Sequence, residues 1–127
     1  MRVLFVEDDA MNRRVVKDML TIVGVTMAEA EDAETGLRMI DADDYDAILM
    51  DLRMPGMDGL TAVRHIRARG DAKAKIPIIV ITADAGLGLR EICLADGANG
   101  VLGKPVAMEA LFDALGDTLA ADTDLMI

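Results

Sequence analysis

Short apolar runs alternate along the chain with longer stretches in which apolar residues recur every three or four positions. The runs fall at residues 3–6, 25–30, 47–50, 76–81 and 101–102. They are continuous rather than alternating, which predicts strands covered on both faces, as in a parallel sheet. In the first intervening stretch Met11, Val15, Met19, Leu20 and Val23 share one face of a helix, and Gly24 is a natural stop. A second helix starts after Asp32 as its N-cap and turns Leu37 and Ile40 inward. A third sets Leu60, Val63 and Ile66 against Arg64, Arg67 and Arg69, which read as a solvated face. A fourth, near 87–95, has Gly86 and Gly88 at its start and is expected to be the least rigid. The fifth, about 108–119, buries Leu111, Leu115 and Leu119, and residues 121–127 are expected to fray as a tail. Five strand–helix units with right-handed crossovers predict a three-layer α/β sandwich around a parallel sheet, whose strand order periodicity does not set.

Composition narrows the function. The chain has 127 residues, the size of one domain, and 53% of them are hydrophobic. With two Phe, one Tyr and no Trp, it offers little for stacking on bases or sugars. Thirteen basic against 23 acidic residues give a formal net charge of −10, which opposes binding to nucleic acid or anionic lipid. A single cysteine, Cys93, rules out an internal disulfide and a thiolate metal cluster. The opening Met1-Arg2 runs into an apolar stretch too short for a signal peptide, and no run approaches a membrane span of about 20 residues. A cytoplasmic protein is expected.

The candidate chemistry lies where an open parallel sheet binds its ligands, beyond the carboxyl ends of the strands. Strand one ends in Glu7-Asp8-Asp9 and strand three in Asp51. If these strands are neighbours, at least three carboxylates converge there and repel one another unless a cation neutralises them. Without His or Cys nearby the ligands are all oxygen, and magnesium suits such a set because it bridges readily to phosphate. Thr82 ends strand four with a hydroxyl for a phosphoryl oxygen. Lys104 follows strand five with a positive charge, and Pro105 can hold its loop through a cis bond. A carboxylate nucleophile, a metal, a hydroxyl and a lysine form a phosphoryl-transfer set.

With those positions fixed, the chain closely resembles the receiver domains of two-component response regulators, notably the single-domain chemotaxis type. Residues 3–9 look like the family's acidic opening, residues 50–59 like its phosphorylation loop, and 78–83 with Gly103-Lys104-Pro105 like its switch-threonine and lysine segments. The resemblance covers residues 1–120. It implies a flavodoxin-like five-stranded sheet of order 2-1-3-4-5 with five helices. It implies Asp51 as the phosphoacceptor, with Thr82 and Lys104 on the phosphoryl group. Magnesium would be held by Asp8 directly, by Glu7 largely through water, by Asp51 and by the carbonyl of Arg53. The donor would be a phosphohistidine on a histidine kinase or histidine phosphotransfer protein, and the output a contact with a downstream protein, from a monomer or weak dimer. Such a module is a signalling phosphoacceptor that catalyses its own phosphorylation and dephosphorylation. Helix one and the adjacent loops would receive the donor. Asp9 would serve as an Asx-type cap of the first helix.

One departure stands out. Many receivers carry a Tyr or Phe three positions before the lysine, and here that position is Val101. Either helix four and its glycines move instead, or the module mainly relays phosphate. Arg53 and Asp84 are expected to pair across the mouth of the site and slow the attacking water. A dehalogenase-like phosphatase using Asp51 lacks the second acid two residues on, where Arg53 stands. An inert interaction module does not need the acidic set and lysine. A flavin or nucleotide site needs glycines where the first loop is acidic. His65 has no ligand partner at suitable spacing, Cys93 reads as a small core residue, and the ten methionines read as packing, with Met11 or Met57 available to a partner.

Overall fold

A computed structural model describes residues 1–124 apart from 85 and 87, with the backbone alone over 119–124. The apolar runs become parallel strands: β1 (Arg2–Val6), β2 (Thr26–Ala30), β3 (Ala47–Asp51), β4 (Ile78–Thr82) and β5 (Gly100–Gly103). They pair in the order β2-β1-β3-β4-β5. The helices between them are α1 (Ala10–Ile22), α2 (Ala33–Ala42), α3 (Gly59–Arg67), α4 (Leu89–Ala95) and α5 (Met108–Asp124).

Alternation along the strands sorts the core into two layers. Val3, Phe5, Leu49, Ile79 and Ile81 pack against Val16 and Leu20 of α1 and Leu111 and Leu115 of α5. Leu4, Val6, Ile48, Met50 and Val80 pack against Ile40 of α2, Val63 and Ile66 of α3 and Cys93 of α4. The expected burial of both strand faces holds for β1 from Val3 onward and throughout β3 and β4. It fails for the edge strands: Thr26 and Glu29 of β2 are exposed and β5 has no fully buried residue. An edge strand has a partner on one side only, so cover thins there.

Boundaries moved for local reasons. β4 begins at Ile78 rather than 76, because Pro77 has no N–H for the ladder and Ile76 closes a 3-10 turn over Ala72–Lys75 that the pattern did not reveal. In α1 the face against the sheet is Val16, Met19 and Leu20, whereas Met11 is 68% and Val15 44% exposed. Asp9 sets that phase, its carboxylate accepting from Met11 N at 2.8 Å, and Val23 falls at the C-cap. Asp32 caps α2 as expected, accepting from Thr35 N at 2.7 Å; Ile40 is buried and Leu37 partly so. Gly88, at φ +87°, is the N-cap of α4. Leu87 lies outside the described residues, as do the side chain of Leu119 and residues 125–127; α5 itself continues through Asp124, past its expected end. Among the described residues no helix is long and apolar enough to cross a membrane.

Arg67 corrects the reading of a solvated arginine face. Its guanidinium is half-buried and donates to Gly97 O, Ala74 O, Ile76 O and Asn99 Oδ1 at 2.7–2.9 Å. Arg64 pairs with Asp96 at 2.9 Å, and Arg69 with Asp41 and Asp71. His65 is exposed, and Cys93 is buried in the core with its thiol pushed up by burial and then by the charge of Asp96.

Candidate functional site

Strand register builds the site. Val6 pairs with Met50, so the next residues, Glu7 and Asp51, stand side by side at the carboxyl end of the sheet. Asp51 pairs with Ile81, and Thr82 with Gly103, which brings the ends of β4 and β5 to the same edge. Lys104 follows, its N–H donating to Thr82 O at 2.9 Å and its bond to Pro105 cis. Four strand ends thus deliver Glu7, Asp51, Thr82 and Lys104 to one place. Asp51 is almost fully buried, Glu7 and Thr82 are buried, and Asp8 is exposed at the rim. Gly59 explains the tight loop after β3: a Cβ there would collide with the carbonyl oxygen of Asp51, and its N–H donates to Leu52 O at 3.0 Å.

The charges are unevenly matched. Lys104 Nζ lies 2.7 Å from Glu7 Oε1 and 3.2 Å from Asp51 Oδ1. One ammonium therefore serves two carboxylates, and Asp8 makes a third: one oxygen from each of Glu7, Asp8 and Asp51 lies within 4.8 Å of the others. Burial raises the Glu7 carboxyl above its ordinary value, and the Asp51 carboxyl beside it adds to the rise against the pull of Lys104 and Asn12. For Lys104, burial works against the charge, but the hydrogen bond to Glu7 and the charge of Asp51 outweigh it and hold the ammonium above its ordinary value. Glu7 Oε2 is buried without a hydrogen-bond partner among the described residues. A set of oxygen donors with surplus negative charge and an orphaned carboxylate oxygen fits a hard divalent cation.

Around this centre, the Thr82 hydroxyl accepts from Asp84 N at 3.1 Å, held by its own loop rather than by the carboxylates. Arg53 Nη2 donates to Asp84 Oδ2 at 2.7 Å, so the expected pair across the mouth is present. Two residues escaped the sequence reading. Asn12 Nδ2 donates to Glu7 Oε1 at 2.9 Å, and Arg13 Nη1 to Glu7 O at 2.6 Å. The signal for both was the Asp9 cap, which fixes which residues of the first turn of α1 look back at the strand end. Beside Lys104 a cleft of about 140 Å³ opens between α1 and the loop after β5, walled by Phe5, Val15, Val16, Pro105 and Val106.

A parallel sheet of this order carrying an acid cluster and a lysine on its carboxyl edge defines a receiver module. The chain belongs to the response regulator receiver domain family, whose model matches residues 3–116, and its class is that of the phosphoacceptor modules of two-component signalling. It is 38% identical over 110 residues to the response regulator MprA of Mycobacterium ulcerans, covering 87% of this chain and 46% of that protein. It is 35% identical over 124 residues to the sensory/regulatory protein RpfC of Xanthomonas campestris pv. campestris, covering 97% of this chain and 17% of that one. The chain thus spans less than half the length of these curated relatives. The receiver domain of sensor histidine kinase PA1611 from Pseudomonas aeruginosa PAO1, solved with a magnesium ion coordinated in its active site cleft, superposes with a TM-score of 0.84 at 38% identity, over 94% of this chain and 97% of that one. The chemotaxis protein CheY4 of Vibrio cholerae superposes with a TM-score of 0.84 at 29% identity, over 92% and 97%.

Proposed function

We propose that Asp51 accepts the phosphoryl group, on the observation that it is a buried carboxylate within 3.2 Å of the Lys104 ammonium and inside the cluster with Glu7 and Asp8. An oxygen of Asp51 forms a bond to phosphorus as the P–N bond of a phosphohistidine breaks, and the departing imidazole takes up a proton. Glu7, Asp8, Asp51 and the backbone carbonyl of Arg53 are the residues that would hold magnesium, the ion coordinated in the related PA1611 receiver. When bound, that ion offsets the negative charge gathered on the phosphoryl oxygens. Lys104 keeps one phosphoryl oxygen neutralised, and the Thr82 hydroxyl leaves its own loop to donate to another. Release runs on the same residues: a water attacks phosphorus, the bond to Asp51 breaks, and the module catalyses its own dephosphorylation.

The donor is a histidine kinase or a histidine phosphotransfer protein, docking over α1 and the cleft beside Lys104. Val15 and Met11 are exposed there and suit an apolar partner helix. The output is a contact with a downstream protein, made in the cytoplasm by a monomer or weak dimer. Residues 1–120 constitute the receiver unit and 121–127 its tail. Val101 lies partly buried against the layer of α2, α3 and α4, where it has no polar ring to swing outward.

Amide NMR in magnesium, then with beryllium fluoride as a phosphoryl mimic, tests this on wild type and Asp51→Asn. Shifts near Asp8, Asp51, Thr82 and Lys104 in wild type, absent from the variant, are expected. Spread of those shifts into 88–95 and Val101 would make the module a switch, and confinement to the site a phosphate relay. No magnesium- or fluoride-dependent shifts would overturn the phosphoacceptor reading.

A further inference from the structure

Glu7 is held at almost every polar atom. Its N–H donates to Ala30 O at 2.9 Å, which continues the β1–β2 ladder one residue past the strand. Its carbonyl accepts from Arg13 Nη1 at 2.6 Å, and Arg13 is itself fixed by Glu29, 3.2 Å from its Nε. One carboxylate oxygen, Oε1, takes two donors, Asn12 Nδ2 at 2.9 Å and Lys104 Nζ at 2.7 Å. The other, Oε2, is buried and takes none among the described residues. A carboxylate free to rotate would share its two donors between its two oxygens. Here both converge on Oε1, and Oε2 is left as the atom free to bind something else.

We infer that Asn12 is a positioning residue of the metal site, clamping Glu7 through Oε1 so that Oε2 is presented to the cation together with Asp8 and Asp51. The amide suits the task. It supplies a directed donor without a positive charge, so it orients Glu7 and leaves the negative charge of the cluster intact, whereas a second ammonium would cancel part of it. Lys104 alone does not fix the carboxylate, since its ammonium is shared with Asp51. Among the described residues the Asn12 side chain hydrogen-bonds to Glu7 and not to Asp8 or Asp51, so its influence on the ion passes through one carboxylate. The inference rests on the reading that Glu7, Asp8 and Asp51 hold magnesium.

The test is a magnesium titration followed by amide NMR on the full chain, with wild type, Asn12→Ala and Asn12→Leu, the last keeping the bulk of the side chain. Both variants are expected to weaken magnesium about tenfold, the lower end of what losing such a supporting contact does. The same Asn12→Ala change is then made in a Glu7→Gln background. If Asn12 acts through Glu7, the two changes are non-additive and the added loss stays under about twofold. Equal losses in both backgrounds, or wild-type affinity in both single variants, would overturn the inference while leaving the metal site standing. Absence of magnesium-dependent shifts in wild type itself would remove the site and the inference together.

Discussion

Charge is withdrawn from solvent at both ends of the sheet, partly at one and fully at the other, and it is treated in opposite ways. At the lower end, where β4 and β5 begin, the Arg67 guanidinium is surrounded by neutral acceptors: the carbonyls of Gly97, Ala74 and Ile76, and Asn99 Oδ1. Asn99 extends the network, its Oδ1 accepting from Ile78 N at 2.8 Å and its N–H donating to Ile78 O at 2.7 Å. Burial lowers the Arg67 pKa from its ordinary value, yet an arginine so far above neutrality keeps its charge. Gly97, at φ +113°, makes room, since a Cβ there would lie 2.6 Å from Arg67 Cγ. At the upper end Glu7 and Asp51 share one lysine, Asp8 adds a further charge and Glu7 Oε2 has no donor among the described residues. The lower end is complete as folded. On the reading proposed above, a cation completes the upper end, and that is how a stability device and a functional site would differ when both withdraw charge from water.

The largest test of this contrast is Arg67→Ala. It strips the donors from four acceptors at the join of α3, β4 and β5 and is expected to cost about 3 kcal/mol, read as a lower urea midpoint. Magnesium affinity should stay within twofold of wild type. A parallel loss of magnesium binding would show that the two ends are coupled through the sheet. Arg67→Lys should not restore stability, because a single ammonium does not span four acceptors on two segments.

Slightly smaller is the effect of the metal. At a magnesium concentration one hundred times its dissociation constant, the unfolding free energy should rise by about 2.7 kcal/mol. Arg67→Ala should keep this increment from its lower baseline, and Asp51→Asn should lose most of it. An equal increment in Asp51→Asn would place the ion elsewhere.

The sequence disclosed the upper end far better than the lower. Glu7, Asp51, Thr82 and Lys104 are polar residues closing apolar runs, and such interruptions stand out against a strand pattern. Their meeting at one edge required only that β1, β3, β4 and β5 be adjacent, which the resemblance supplied. Arg67 was misread because a helical wheel assigns faces from one helix alone. Its partners come from the 3-10 turn at Ala72–Lys75 and the loop after α4, neither of which has a periodic signature. Asn12 was missed for a related reason: the phase of α1 was taken from its apolar residues, and Met11 and Val15 proved exposed. Exposed apolar residues on a helix imitate a core stripe, and here the Asp9 cap distinguishes the two.

α3 runs from one end to the other, so its own cap offers a finer comparison. Asp58 accepts from Thr61 N at 2.8 Å, and that backbone hydrogen bond holds its carboxyl below the ordinary value of 3.8. A folded pKa below the unfolded one means that the contribution is present above that ordinary value and fades as pH falls through the folded pKa. Asp58→Ala should therefore cost about 1 kcal/mol at neutral pH, and the gap between variant and wild type should narrow below pH 4. A gap that stays constant into acid would mean the cap acts by shape rather than charge.

The smallest effect belongs to the rim of the upper end, and it separates kinetics from stability. Arg53 and Asp84 pair at 2.7 Å, yet their side chains are 75% and 57% exposed. Water and salt weaken such a pair, so Arg53→Ala and Asp84→Ala should each change stability by less than about 1 kcal/mol. The pair nevertheless joins the loops after β3 and β4, and on the proposed reading it would lie across the path of a water to the phosphorus. Dephosphorylation of each variant, followed after loading with a small phosphoryl donor, is therefore expected to be about threefold faster, a change of barrier of roughly 0.7 kcal/mol. If the two side chains act as one gate, the double variant should lose phosphate no faster than either single one. Raising ionic strength should speed the wild type and leave the variants unmoved. Independent, multiplying effects would mean that each residue meets the water or the phosphoryl group by itself. Unchanged rates in both would reduce the pair to two solvated charges, and the contrast between the ends of the sheet would then stop at Glu7 and its neighbours.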